Sequence, residues 1–288
     1  MGGIYTHKIP IGFRSRAQQS LSETEIARRI KDGRGQGHGQ HYKPWFHVQD
    51  VPSDGRSHRI YSHKTRRVHH LLSDLELAVF LVLEWSSDIT DIREQFPLKR
   101  DETRALAAEH QLRHPSVRGV DQVMSSDFLV DATTGPDRQF AIQVKPVNEL
   151  AKPGSIEKLE LERRYWQLKQ IPWFLVTEEE IDLVIKQNIE WLYPTKSDAA
   201  VDLALLAQLP FLSKAFSKAQ DSKVIDICKH LDTAYELELG HSLRDVRTLV
   251  ANGFIKFNIN KAFRSVKASE LRFCQFEDME ALLHVANQ

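Results

Sequence analysis

Gly119-Val-Asp-Gln-Val-Met-Ser-Ser-Asp127-Phe-Leu-Val-Asp131, followed after a turn by Gln139-Phe-Ala-Ile-Gln143-Val-Lys145, decides how this chain is read. Both runs are apolar, and Gly135-Pro136-Asp137 between them is a turn signal, so a hairpin of two paired strands is expected. Side chains alternate across a strand, which puts Gln143 and Lys145 on one face and Ile142 and Val144 on the other. If pairing brings Asp127 beside that polar face, a carboxylate, an amide oxygen and an ammonium converge. Those are the groups that hold a divalent cation and a phosphate. The competing reading is a hairpin with a solvated face, in which Asp127 ends a loop and Lys145 is a surface cation.

Upstream, Ser73-Asp74-Leu75-Glu76 opens a helix whose apolar positions Leu75, Ala78, Val79 and Val82 follow the helical period. Glu76 stands three residues after Ser73, the capping-box position, so its carboxylate can bond back to the start of the helix. The alternative makes Glu76 a metal ligand held near the hairpin. Between them, residues 88–98 read as an extended segment carrying Ile89, Ile92 and Phe96, and Thr103 to His110 as a short helix. His110 and His114 have the spacing of a metal pair on a helix, but Arg113 and Pro115 favour an ordinary exposed stretch.

The chain has 288 residues, 41% hydrophobic and 27% charged, a globular composition long enough for two domains. Lys plus Arg equals Asp plus Glu at 39 each, so net charge marks no nucleic-acid binder. Its distribution is uneven, which fits a phosphate-facing arm or a solvated loop-rich surface. Residues 22–70 hold ten Lys or Arg against five Asp or Glu, and seven of the thirteen His. Such a segment suits phosphates. Within it a capped helix starts at Ser22 and carries Arg28, Arg29 and Lys31. Then comes Gly33-Arg-Gly-Gln-Gly-His-Gly39, read as a flexible loop on which Arg34 and His38 meet DNA phosphates. Arg28, Arg29, Arg34, Arg59 and Lys64 are the DNA-binding candidates. The loop has neither the spacing of a Walker motif nor that of a dinucleotide fingerprint. Two cysteines, Cys228 and Cys274, suit a reducing intracellular compartment. The polar first twenty residues are unlike a secretory signal, and the longest apolar run, Leu77 to Leu83, is far short of a membrane span.

After the hairpin a charged helix is expected over residues 156–170, a buried strand at Trp173 to Val176, and a helix from Ile181 to Pro194 capped by Thr177. This gives an irregular extension over 1–21, a mixed α/β domain over 22–194 and a distinct domain over 195–288. The last has helical patterns at 199–212, 222–235 and 242–251, then strands at 254–259 and 271–276, the order of a winged helix. Winged helices bind DNA or dock proteins, and both remain open here.

The runs Glu25 to Lys31, Gly33 to Gly39, Ser57 to Lys64, His69 to Phe80, Asp91 to Pro97 and Asp121 to Asp131 closely resemble the TnsA family. So do Ala141 to Pro146, Glu160 to Trp166 and Ala251 to Asn258. These are the endonuclease subunits of heteromeric bacterial cut-and-paste transposases. The resemblance implies an α/β fold, with a restriction-endonuclease-like mixed-sheet N-terminal domain and a winged-helix-like C-terminal domain. It implies the catalytic set Glu76, Asp127, Gln143 and Lys145, with Mg²⁺, or Mn²⁺ in its place, held by Glu76, Asp127, Gln143 and the Val144 carbonyl. It also implies a cytoplasmic enzyme that cuts the 5′ ends of transposon DNA while a transposase subunit cuts and joins the 3′ ends. An AAA+ regulator ATPase would dock on the C-terminal domain. The competing classes are a non-catalytic winged-helix DNA-binding or docking subunit and a stand-alone restriction or repair nuclease.

Overall fold

The structure is a computed structural model describing residues 20–51, 56–135, 138–196 and 201–274. The first of its two units, ending at Glu180, runs α1 (Glu23–Lys31), β1 (His58–Ser62), β2 (Arg67–Leu71), α2 (Asp74–Trp85), β3 (Ile89–Pro97) and α3 (Arg100–Glu109). It continues through β4 (Ser116–Val117), β5 (Val120–Asp121), β6 (Ser125–Ala132), β7 (Gln139–Val144), α4 (Val147–Leu150), α5 (Pro153–Leu168) and β8 (Trp173–Val176). The expected hairpin is present as β6 and β7, antiparallel with Phe128 opposite Ile142 and Asp131 opposite Gln139. The turn residues 136 and 137, and the extension over 1–19, lie outside the described residues.

The hairpin forms the middle of a four-stranded mixed sheet ordered β3-β6-β7-β8. β3 runs antiparallel to β6, and β8 runs parallel to β7 after the α5 crossover. Such a crossover needs a helix that packs on the sheet. α5 supplies it: Leu161, Tyr165 and Trp166 are buried with Leu129 and Ala141 of the hairpin and with Leu98, Leu106 and Ala107 at α3. Alternation decides which sheet residues meet α5, because Leu129 and Ala141 share a face with Asp127 and Gln143. A smaller cluster of Leu21, Ile26, Trp45, Phe46, Leu72 and Val123 anchors α1 and the chain after it. β8 differs from the fully buried strand expected, since Phe174 at this edge of the sheet is exposed.

The second unit, from Ile181, contains α6 (Leu183–Leu192), α7 (Leu203–Leu206), α8 (Leu209–Lys218), α9 (Val224–Ala234), α10 (His241–Ala251), β9 (Ile255–Lys256) and β10 (Arg272–Phe273). The boundary thus precedes the helix that the sequence reading placed at the end of the first domain. The reason is what α6 buries. Asn188 donates to the carbonyls of Ile259 and Lys261 and accepts from the Phe263 amide, and Arg247 bonds the Trp191 carbonyl. Asp182, rather than Thr177, caps this helix. The two expected strands shrink to an antiparallel ladder two residues deep, Arg272 opposite Lys256 and Phe273 opposite Ile255.

Candidate active site

The sheet register sets three polar side chains in one row. The ladder pairs Glu94 with Phe128 and Phe96 with Ser126, so Gln95 on β3 faces Asp127 on β6. Phe128 opposite Ile142 likewise places Gln143 on β7 at the other side of Asp127. Asp127 is buried, and both of its oxygens accept hydrogen bonds. Its Oδ2 accepts from Gln143 Nε2 at 2.8 Å and from the Val144 amide at 2.8 Å, and its Oδ1 accepts from Gln95 Nε2 at 3.3 Å.

Glu76 reaches this row from the first turn of α2. Ser73 caps that helix, as expected, by accepting from the Glu76 amide. The Glu76 carboxylate answers with Oε1 to the Ser73 hydroxyl at 2.9 Å and Oε2 to the Leu72 amide at 2.8 Å. That Oε2 also accepts from Gln95 Nε2 at 3.2 Å. Capping and site membership are therefore compatible: the cap bonds aim a buried carboxylate at Asp127.

Glu76, Asp127, Gln143, Val144 and Lys145 all line one cleft of about 470 Å³, together with Lys158 and Glu162 of α5. Lys158 and Glu162 escaped the sequence reading, although a one-turn spacing on a charged helix facing a polar strand pair was visible. Burial pushes the Glu162 carboxyl up to about 8, against the pull of the Ser126 hydroxyl and the Trp173 indole that bond it. Burial, and then the nearby Lys145, lowers the Lys158 ammonium from its ordinary value. Two lysines side by side in a cleft floored by carboxylates suit a phosphodiester above a cation.

The residues fit a hard divalent ion. Two buried carboxylates supply oxygen ligands, and Gln143 Oε1 is buried with no hydrogen-bond partner while its amide nitrogen is spent on Asp127. A buried acceptor left unmatched is costly, and a cation would satisfy it.

Residues 86–178 match the family described as TnsA-like endonuclease N terminal, and residues 180–259 that described as TnsA endonuclease C terminal. Over 273 residues the chain is 60% identical to the transposon Tn7 transposition protein TnsA of Escherichia coli, spanning 95% of this chain and 100% of that protein. The chain belongs to the TnsA endonuclease family. It is accordingly a DNA endonuclease, and a divalent metal suits its family as well as its cleft.

In this TnsA-family chain the basic segment divides. Arg29 is buried under Trp45 and Phe46 and donates to the Trp45 carbonyl at 2.7 Å. Arg34 bonds the same carbonyl and pairs with Asp50. Arg29 is thus buried, and Arg34 is half-buried with its guanidinium turned to Asp50. Arg28 and Arg59 are exposed, while Lys64 is half-buried with its backbone amide on Glu84. The glycine loop is also no free arm. Gly33, Gly35, Gly37 and Gly39 all hold positive φ, and a Cβ on Gly35 would stand 2.1 Å from the Pro97 ring. Its His38 lies 3.4 Å from Asp91 and 3.8 Å from Asp131, a separate cluster of ligand-type atoms. Arg93 pairs with both aspartates and offsets one of their two charges. His114 bonds the Thr103 hydroxyl instead of joining His110 in a metal pair.

Proposed function

We propose that this endonuclease is the transposase subunit that nicks the 5′ ends of a transposon, using Mg²⁺ and the residues Glu76, Asp127, Gln143 and Lys145. The observation that carries the reading is the meeting of these side chains in one cleft, with the Gln143 oxygen left unmatched. The mixed sheet with its central hairpin supports a restriction-endonuclease-like first unit. The helix order and the short ribbon of the second support a winged-helix-like domain.

Asp127, Glu76, the Gln143 side-chain oxygen and the Val144 carbonyl would hold the ion, with Asp127 as the central ligand. A bound Mg²⁺ supplies charge neutralisation at the phosphate and a water acidic enough to attack it. Lys145 places an ammonium against the charge that develops on the phosphate and orients the attacking water. Mn²⁺ offers the same octahedral oxygen chemistry and should substitute.

The relative's name ties it to transposition, and 60% identity brings the same role to this chain. The partners proposed are transposon-end DNA, a transposase subunit that cuts and joins the 3′ ends, and an AAA+ regulator on the second unit. The Glu76 cap bonds favour one competing view, in which Glu76 only starts a helix and the chain is a docking subunit. Glu76→Gln separates the two, because a capping box accepts Gln. We expect the variant to melt within a few degrees of wild type and to lose 5′ nicking of transposon-end DNA by at least about a hundredfold when assayed with the 3′-cutting subunit. Full nicking by the variant would leave Glu76 as a cap.

Gln143 makes the site less negative than a carboxylate would. In Gln143→Glu we expect Mn²⁺ affinity without DNA, read by titration calorimetry, to rise about tenfold or more, since an added charge in a poorly solvated cleft is worth at least 1.4 kcal/mol. An unchanged affinity would remove Gln143 from the ligand set.

A further inference from the structure

Gln95 is a non-glycine residue in the left-handed region, φ 49°, inside strand β3 near its end. L-residues avoid that conformation, and such outliers collect at functional sites when their surroundings over-determine them. Here the Trp45 amide donates to the Gln95 carbonyl at 3.2 Å, and the preceding residue, Glu94, is locked by buried ion pairs. The side chain is 3% exposed and spends its amide nitrogen on two carboxylates at once, Glu76 Oε2 at 3.2 Å and Asp127 Oδ1 at 3.3 Å.

We propose that Gln95 is a positioning residue of the metal site, holding the carboxylates of Glu76 and Asp127 turned toward each other so that a divalent cation meets a formed pair. The inference rests on the assignment of those two carboxylates as ligands. Its physical basis is repulsion. Two buried anions that face one another turn apart or take up a proton unless something positive lies between them. The Gln95 amide hydrogens supply a partial positive charge at that point. Both hydrogen bonds are at the long end of the normal range, so they yield readily to the 2.0–2.1 Å contacts of a bound cation. Partners that orient metal ligands in this way commonly change metal affinity by ten- to a hundredfold when removed.

The test is Gln95→Met, which keeps the length of the side chain and removes its donor, made in the full chain. Mn²⁺ binding is measured without DNA by electron paramagnetic resonance, and nicking of transposon-end DNA with the 3′-cutting subunit is followed across Mn²⁺ concentrations. We expect the Mn²⁺ dissociation constant and the half-saturating Mn²⁺ concentration to rise together by about ten- to a hundredfold. The rate at saturating Mn²⁺ should stay within about threefold of wild type. A merely structural glutamine predicts a lower melting temperature with the Mn²⁺ constant unmoved, and that result overturns the proposal. So does a fall in the saturated rate as large as the shift in the constant. Should Gln95→Met fail to fold, Gln95→Asn accepts the left-handed backbone and is too short to bridge, with the same expectations. Asp127→Ala keeps the two levels apart. If it binds Mn²⁺ as wild type does, the site reading itself falls; if it loses Mn²⁺ while Gln95→Met does not, only the role of Gln95 falls.

Discussion

Glu94→Ala is expected to destabilise the first unit by about 3–5 kcal/mol, the cost of removing one partner from a buried ion pair. Glu94 is fully buried and accepts from Arg67 Nη1 at 2.8 Å and Nη2 at 2.5 Å, and from the His70 amide at 3.1 Å. His69 Nδ1, equally buried, stands 2.8 Å away. Alanine would strand a guanidinium and an imidazole in the interior. For a unit of this size, that corresponds to a fall in melting temperature of roughly 6–20 °C, read by calorimetry or by denaturant titration. Glu160→Ala is the contrast: Glu160 also meets two arginines, Arg163 and Arg164, but on the solvated side of α5, and its loss should cost no more than about 1 kcal/mol.

The same network sets an acid limit. Burial alone would raise the Glu94 carboxyl, but the charges of His69 and Arg67 outweigh it and hold the group far below its ordinary 4.5. A carboxyl depressed on folding contributes stability that is complete above its unfolded value and is lost as pH falls toward the folded one. Stability should therefore decline below about pH 4.5, with a shallower decline in Glu94→Ala. Because Glu94 adjoins Gln95, the ion pairs that tie β2 to β3 also fix the strand from which Gln95 reaches the cleft.

The hairpin was legible because alternation is a local signal. Knowing that Ile142 and Val144 point into one layer is enough to put Gln143 and Lys145 on the opposite face. The caps at Ser22 and Ser73 were legible for the same reason, since each helix start is written within four residues. Glu76 showed the limit of that rule. A capping spacing and a site residue are the same letters, and only the approach of Gln95 across 19 positions tells them apart.

What stayed hidden depends on tertiary contacts. No propensity points to Gln at a left-handed strand position; the Trp45 amide on its carbonyl helps to hold it there. Glycine at every second position reads equally as freedom or as constraint. Gly35 against Pro97 and Gly37 against the His41 carbonyl show constraint, because no side chain fits. Arg29 and Arg34 count as basic residues in any tally, but that both turn toward Asp50 and the Trp45 carbonyl is written only in the fold. The unit boundary was hidden because α6 announces its helix but not its partner, which Asn188 finds more than seventy residues later.

Asp127→Ala should abolish 5′ nicking, by about a thousandfold or more, a loss of roughly 4 kcal/mol of transition-state stabilisation. The size follows from position. Asp127 is the member of the row touched by both glutamines, and three donors converge on it. Removing it would take away the proposed central ligand and also strand those donors, so some stability is lost as well, about 1–3 kcal/mol. The two losses are separable by strand. In the complete reaction with the 3′-cutting subunit, an Asp127→Ala chain that still folds should leave 3′ breaks at the transposon ends unchanged while 5′ breaks vanish, because each strand is assigned to a different protein. An unfolded chain would instead impair both strands, through the assembly. Persistent 5′ cutting without Asp127 would move the chemistry to another polypeptide, and the cleft would then be a phosphate seat in a docking subunit.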